Sequence, residues 1–212
     1  MEVRALKDLV ILVADKNMEF SVTGLLSRYP SLGFRELSAE VFVHPHKDPG
    51  CLLRGHEFLR PFTRQYRHAL IMLDREGSGR EEMAREELEK EIESRLHSSG
   101  WSDRAAAVVL DPELEVWVWS DSPVVDLALG WKGRKPHLRE WLISEGYLAP
   151  TQSKPKRPKD AVERALRISA KRRSSAIYLE LAQRVGLARC SDPAFVKLRT
   201  ILRAWFAAGT QT

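Results

Sequence analysis

The stretch that decides the fold is His68–Glu82, "HALIMLDREGSGREE". Residues 69–73 are a continuous apolar run, which is typical of a strand buried on both faces of a parallel sheet. The run ends on Asp74, and a second acid, Glu76, precedes two glycines and a charged segment. Such an ending indicates either a solvated turn or a place where carboxylates hold a metal ion.

Three further apolar runs predict strands on either side of this one in the chain. They are residues 9–14 "LVILVA", 39–44 "AEVFVH" and 105–111 "AAAVVLD". Helical patterns separate them, and the longest covers residues 80–98, where apolar side chains recur near 3.6-residue spacing. Strands alternating with helices predict an α/β fold with a mostly parallel sheet and helices on both faces.

Two helix starts can be assigned from local chemistry. Asn17 is a candidate N-cap for the helix that follows the first strand. Pro112 suits the first turn of a helix, so we expect a helix in "PELEVWVWSD", residues 112–121.

The pattern changes after about residue 130, and two regions are expected. Residues 1–130 form the α/β domain, and residues 131–212 form a basic, mainly helical C-terminal region. A Pro/Lys linker lies near 149–160, "APTQSKPKRPKD". Beyond it, helices are predicted at 160–171, at 174–185 and from Asp192 or Pro193 to Phe206.

Charge divides along the same boundary. The chain has 34 Lys and Arg against 29 Asp and Glu, a net charge of +5. Residues 151–212 hold 14 basic and 4 acidic residues, whereas residues 1–150 hold 20 basic and 25 acidic ones. A basic tail on an acidic body indicates a polyanion such as nucleic acid as partner, or docking on an acidic protein. The alternative is a solvated basic helix face.

Composition excludes several classes of protein. With 43% hydrophobic and 30% charged residues the chain has an ordinary globular balance, and no apolar run approaches the 18 residues that a membrane span needs. Cys51 and Cys190 match no metal-ligand spacing, so a reduced, cytoplasmic setting without membrane partners is expected. Neither a glycine-rich nucleotide loop nor a GxSxG nucleophile motif is present.

Acidic and histidine side chains follow the end of every predicted strand. They are Asp15 and Glu19 after the first strand, His44, His46 and Asp48 after the second, Asp74 and Glu76 after the third, and Asp111, Glu113 and Glu115 after the fourth. Carboxyl ends of parallel strands share one edge, where ligands bind. Clustered carboxylates repel each other, so they need a divalent cation or raised pKa values, and oxygen ligands suit Mg²⁺ or Mn²⁺. Alternatively, each acid only caps a helix.

The order of these motifs resembles the Toprim domain. The matching segments are "VILVADKNMEF", "LIMLDREGSG" and "VVLDPELEVWVWSD", and the tail "SSAIYLELAQRVGLARCSDPAFVKLRTILRAW" extends the similarity over most of the chain. The sequence is most similar to Toprim-like proteins of bacterial defence islands, of the DUF4276 sort. More narrowly, it resembles a small subunit of the methylation-associated antiphage defence system.

The resemblance implies a Mg²⁺- or Mn²⁺-dependent nuclease acting on phosphodiester bonds of DNA or RNA. In that hypothesis the catalytic residues are Asp15, Glu19, Asp74 and Glu76, and the metal ligands are Asp74, Glu76 and Glu113. Phosphate contacts would come from the basic region, through Lys154, Lys156, Arg157, Arg172 and Arg173. Other defence-system subunits are further expected partners.

One departure from the family pattern supports a second hypothesis. Related proteins usually read Val-Glu-Gly-x-Thr-Glu at the first motif, but here Ala14 stands at the glutamate and Asp15 at the glycine. The second hypothesis is a catalytically inactive adaptor or nucleic-acid-binding subunit of a larger defence complex. An active site predicts that the carboxylates of Asp74, Glu76 and either Asp15 or Glu19 converge on one point. An Asp15 that caps its own helix favours the inactive subunit.

Overall fold

A computed structural model of the protein describes residues 5–188 and 190–208. Within them, four strands form one sheet in the order β2-β1-β3-β4, with every neighbouring pair parallel. The strands are β1 (Lys7–Val13), β2 (Ala39–Val43), β3 (Tyr66–Asp74) and β4 (Ala105–Leu110). The predicted parallel α/β fold is therefore confirmed.

Helices connect the strands and continue into the C-terminal region. Those between the strands are α1 (Lys16–Leu26), α2 (Tyr29–Leu32), α3 (Lys47–Leu59) and α4 (Arg85–Leu96). Those after the sheet are α5 (Pro123–Ala128), α6 (Leu138–Ser144), α7 (Pro158–Ile168), α8 (Ser175–Arg184) and α9 (Pro193–Trp205). In the described part of the chain, none of the helices has the length and apolar character needed to cross a membrane.

The two central strands form the middle of the core. Residues 9–13 of β1 and 69–73 of β3 are completely buried. Because successive side chains of a strand point to opposite faces, burial of every residue means that helices cover both faces of the sheet. This is why both strands are continuous apolar runs in the sequence.

The strand order places the topological switch point of the sheet at the carboxyl ends of β1 and β3. β1 lies between β2 and β3, so the chain leaves β1 toward one side of the sheet and leaves β3 toward the other. Ligands of open α/β sheets bind at such a point. Val13 pairs with Met72, which puts Asp15 just beyond the end of β1 and Asp74 at the adjacent end of β3. The topology thus brings the acids of the first and third motifs to one edge.

The structure corrects the two predicted helix starts. Asp15, not Asn17, caps α1 by accepting a 2.9 Å hydrogen bond from the Met18 amide. The Asn17 side chain instead accepts a 2.8 Å hydrogen bond from the Ser175 hydroxyl. The side chain that the sequence predicted as the N-cap is therefore bonded to a residue of the C-terminal region instead.

The predicted helix at residues 112–121 is a single 3-10 turn, Leu114–Trp117. Glu113 before it is extended, and the Trp119 indole after it donates a 2.9 Å hydrogen bond to the Pro158 carbonyl. Contacts with the C-terminal region hold this segment, so a regular helix does not form.

The predicted helices of the C-terminal region are confirmed as α7, α8 and α9. Asp192 caps α9 through a 3.2 Å hydrogen bond from the Phe195 amide. α8 packs closely along α1, and Arg28, just after α1, donates hydrogen bonds to the Ala182 and Val185 carbonyls at 3.1 and 2.6 Å. The basic region therefore packs on the α/β domain.

Candidate functional site

Five carboxylates gather where the carboxyl ends of the strands meet, and we call this group the acidic edge. Its members are Asp15, Asp48, Asp74, Glu113 and Glu115. Burial raises the pKa of Asp74 well above its ordinary range, and the charges of the other four acids raise it further. Charges act on one another this strongly only over short distances. All five lie at or after the end of a strand in the sequence.

Asp74 is the centre of the acidic edge. The residue keeps a partly exposed surface, but its Oδ1 atom is sealed from solvent and has no hydrogen-bond partner among the described residues. A buried carboxylate oxygen without a partner is unfavourable unless a proton or a cation compensates it. Asp74 is therefore the position at the acidic edge where a proton or a cation would be stabilised.

Asp48 touches Asp74 directly. It lies in the first turn of α3, and its Oδ1 accepts a 2.8 Å hydrogen bond from the Asp74 amide. Burial raises the pKa of Asp48 and the charge of Asp15 adds to the rise, against the lowering effect of that hydrogen bond. Sequence reasoning noted Asp48 after the second strand but did not select it as a site residue. Its position at the same edge was the signal that could have identified it.

Asp15 and Glu19, the two acids of the first motif, are engaged within their own helix. Asp15 Oδ1 caps α1 through the Met18 amide. Glu19 forms an ion pair with Lys16, with 2.6 Å between Oε2 and Nζ. Asp15 still lies close enough to raise the pKa values of Asp48 and Asp74.

Glu113 and Glu115 are held by the C-terminal region. Glu113 Oε1 accepts a 2.9 Å hydrogen bond from the Lys159 amide, and the Lys159 ammonium lies 4.0 Å from Oε2. Glu115 Oε1 accepts a 2.5 Å hydrogen bond from the Tyr178 hydroxyl, with an Arg173 nitrogen 3.6 Å away. Burial raises the pKa of Glu113, and burial beside Glu115 raises the pKa of Tyr178. Both acids therefore have their partners more than forty residues away in the sequence.

Glu76 lies on the outer side of the acidic edge. Its side chain is exposed, and its amide donates a 2.9 Å hydrogen bond to the Pro112 carbonyl. The amides of Gly77 and Gly79 point at the chain's own Glu81, whose Oε1 accepts from them at 2.9 and 3.2 Å. The loop after β3, residues 77–79, which we call the glycine loop, thus donates two amide hydrogen bonds to the nearby Glu81 carboxylate.

The expected convergence of Asp74, Glu76 and Asp15 or Glu19 is not formed. Within residues 5–188 and 190–208, no group of three or more His, Cys, Asp or Glu side chains is placed to hold a metal ion. Mg²⁺, however, is usually bound by one or two carboxylates, and water and substrate phosphates complete its shell. A site of one or two carboxylates is what Asp74, with its unpartnered oxygen, and a neighbouring acid could provide.

The five predicted phosphate contacts divide into two groups. Three are in ion pairs within the chain: Lys154 with Asp192 at 3.6 Å, Arg157 with Asp160 at 3.2 Å, and Arg173 with Glu163 and Glu115. Lys156 and Arg172 are exposed, and no ion pair joins either to another residue of the described chain. Of the five, these two have no ion-pair partner among the described residues.

Docking within the chain accounts for part of the charge asymmetry. Lys197 on α9 pairs with Glu89 and Glu93 on α4, with nitrogen–oxygen distances of 3.1 and 2.8 Å. Together with the Lys159 and Arg173 contacts, these pairs fix the basic region on the acidic body. In these ion pairs the basic region docks on acidic residues of its own α/β domain.

A cavity of about 840 Å³ lies beside the acidic edge. It opens between residues 117–123 and α8, and aromatic and aliphatic side chains such as Trp117, Leu181 and Phe195 line it. None of the five carboxylates lines the cavity, although Tyr178, the partner of Glu115, does. The cavity and the acidic edge are therefore separate features that share one connecting residue.

Comparisons with known proteins add no identification. No family model matches the chain, and no curated protein or solved structure is similar enough to it to count as a match.

Proposed function

We propose that this protein is a Toprim-like, Mg²⁺- or Mn²⁺-dependent nuclease of a bacterial antiphage defence system, acting on phosphodiester bonds of DNA or RNA. The observation that carries the proposal is the buried, unpartnered Oδ1 of Asp74 at the carboxyl end of β3. Its position between neighbouring carboxylates favours a cation over an ordinary helix cap, since Asp74 caps no helix.

In this proposal Asp74 anchors the cation, with Glu76 and Glu113 as the further ligands that the Toprim resemblance implies. A bound divalent ion would supply an activated water and stabilise the leaving oxygen of a phosphodiester. Lys159 keeps Glu113 in place through its amide. The Toprim resemblance gives Asp15, the N-cap of α1, and Glu19, in its first turn, the role of handling protons.

The exposed Lys156 and Arg172 support nucleic acid as the substrate, since both are open to external phosphates. The free thiols of Cys51 and Cys190 are consistent with the cytoplasm as the place of action.

The test is a calorimetric Mn²⁺ titration of the full chain, with plasmid nicking and RNA cleavage assayed on the same samples. Asp74→Asn should abolish Mn²⁺ binding and cleavage together. Glu36→Gln, at an exposed acid away from the acidic edge, is the matched control and should retain both. Cleavage that survives Asp74→Asn, or is insensitive to a chelator, contradicts the proposal.

A second candidate is an inactive Toprim-like adaptor or nucleic-acid-binding subunit of a larger defence complex. Asp15 favours it, because this acid caps its own helix while Ala14 stands where related sequences carry glutamate. Wild-type protein that binds nucleic acid or partner subunits, but neither binds Mn²⁺ nor cleaves, would support this candidate instead.

A further inference from the structure

Asp48 reaches across the acidic edge from the first turn of α3 to the end of β3. Its Oδ1 is fixed by the 2.8 Å hydrogen bond from the Asp74 amide. Its Oδ2 lies on the side of the glycine loop, since a Cβ atom built on Gly77 would be 3.9 Å from it. One oxygen of Asp48 therefore fixes its position, and the other faces the loop that follows Asp74.

The local backbone is built to hold Asp48 there. The buried His44 ring packs on Gly50, where a Cβ atom would lie 2.1 Å from His44 Nδ1. That same nitrogen accepts a 3.0 Å hydrogen bond from the His46 amide. Lys47, immediately before Asp48, has a φ of +48°, a left-handed conformation that is uncommon for a side-chain-bearing residue. Such strain persists only where surrounding packing enforces it.

Other acids at the edge are less suited to a cation at Asp74. Asp15 has one oxygen committed to its helix, Glu76 is exposed, and Glu113 and Glu115 are held by the C-terminal region. Among the five acids of the acidic edge, Asp48 and Asp74 are the two joined by a hydrogen bond. The sealed Oδ1 atom of Asp74 has no hydrogen-bond partner among the described residues, so a cation beside this pair would compensate it.

We infer that Asp48 and Asp74 form a two-carboxylate site for a divalent cation, with Asp48 supplying the charge that Ala14 does not supply at the first motif. Two carboxylates with water and phosphate oxygens are a normal shell for Mg²⁺. The inference rests on the proposed function and assigns a ligand that the sequence motifs did not select.

The experiment measures Mn²⁺ affinity of the full chain by calorimetry, with the Mn²⁺-induced shift of the unfolding midpoint as second readout. Asp48→Asn keeps the size of the side chain and the acceptor for the Asp74 amide but removes the charge. We expect at least a tenfold loss of affinity and a smaller Mn²⁺-induced shift. In chelator, its unfolding midpoint should equal or exceed that of the wild type, since one repelling charge is gone.

Two further variants separate a ligand from general electrostatics. Asp15→Asn removes a charge from the same edge while keeping an N-cap acceptor, and we expect less than a threefold loss of affinity. Asp48→Glu restores the charge at the site, and we expect it to recover affinity relative to Asp48→Asn. It also serves as the test if Asp48→Asn does not fold.

The outcomes distinguish this inference from the proposed function. Wild-type affinity in Asp48→Asn, or equal losses in Asp48→Asn and Asp15→Asn, overturns the role of Asp48 as ligand while Mn²⁺ binding by the wild type upholds the site at Asp74. A wild-type protein that binds no Mn²⁺ overturns both.

Discussion

Tyr178 and Glu115 join the C-terminal region to the α/β domain at a buried point. The Tyr178 hydroxyl on α8 donates a 2.5 Å hydrogen bond to Glu115 Oε1, in the 3-10 turn after β4. Arg173 lies 3.6 Å from the same oxygen and also pairs with Glu163. A charged acceptor that is buried needs such donors. The C-terminal region therefore supplies hydrogen-bond donors to Glu113 and Glu115 of the acidic edge.

Replacing Tyr178 with phenylalanine should destabilise the protein by roughly 1–3 kcal/mol, because it leaves a buried carboxylate oxygen without its donor. Urea unfolding of Tyr178→Phe measures the change. Tyr29→Phe, at a tyrosine on α2 outside this network, is the matched control and should unfold like the wild type. Equal stability of Tyr178→Phe and wild type would show that Glu115 does not depend on this bond.

Gly24→Ala should loosen the packing of α8 on α1. A Cβ atom at Gly24 would lie 2.7 Å from the Ala182 Cβ atom and 3.0 Å from the Leu179 carbonyl oxygen. Overpacking of this kind destabilises by roughly 1–3 kcal/mol and outweighs the better helix propensity of alanine. Thermal unfolding measures it, and Gly186→Ala, which meets no atom within 4 Å, is the control. Unchanged or raised stability of Gly24→Ala would contradict the close helix contact.

Basic residues without an ion-pair partner in the chain should affect nucleic-acid binding, whereas paired ones should affect the stability of the protein. Lys156→Ala and Arg172→Ala should each lower the salt dependence of binding by about one counterion, with stability unchanged. Arg173→Ala should lower stability instead, since it removes a cation that Glu115 and Glu163 share. Affinity measured across a salt series, with an unfolding curve for each variant, tests this. An equal effect of all three variants on the salt slope would contradict the assignment.

The ion pair between Asp8 and Arg35 should make the free energy of unfolding depend on pH in the acidic range. Hydrogen bonds from the Arg35 guanidinium lower the pKa of Asp8 most, with the Ser38 amide adding to this effect against burial. A carboxyl group whose pKa is lowered by folding stabilises the protein above its unfolded pKa of about 3.9, and this contribution is lost as the pH falls further.

Asp8→Asn should therefore cost about 1.5 kcal/mol from pH 5 to 7, an estimate kept low because Arg35 is half exposed. Below about pH 4 the wild type and the variant should approach each other in free energy of unfolding. Urea unfolding at pH 7, 5 and 3 provides the comparison. A difference that stays constant down to pH 3 would show that the pair does not form.

The amino-acid sequence by itself determined the α/β class, the four strands and the edge at which the acids meet. These follow from local patterns: continuous apolar runs must be buried on both faces, and strands alternating with helices must run parallel. Asp74 directly follows such a run, so it must lie where the strand ends, at the carboxyl edge of the sheet.

Only the tertiary structure decided which partner each side chain has. Asp15 rather than Asn17 caps α1, and Asn17 bonds to Ser175 instead. The residues after Pro112 contact Tyr178 and the Pro158 carbonyl and do not form the predicted helix. These partners lie 39 to 158 residues apart in the chain. Local propensity differs between alternatives by about 1 kcal/mol, so a buried hydrogen bond to a distant residue is enough to choose between them.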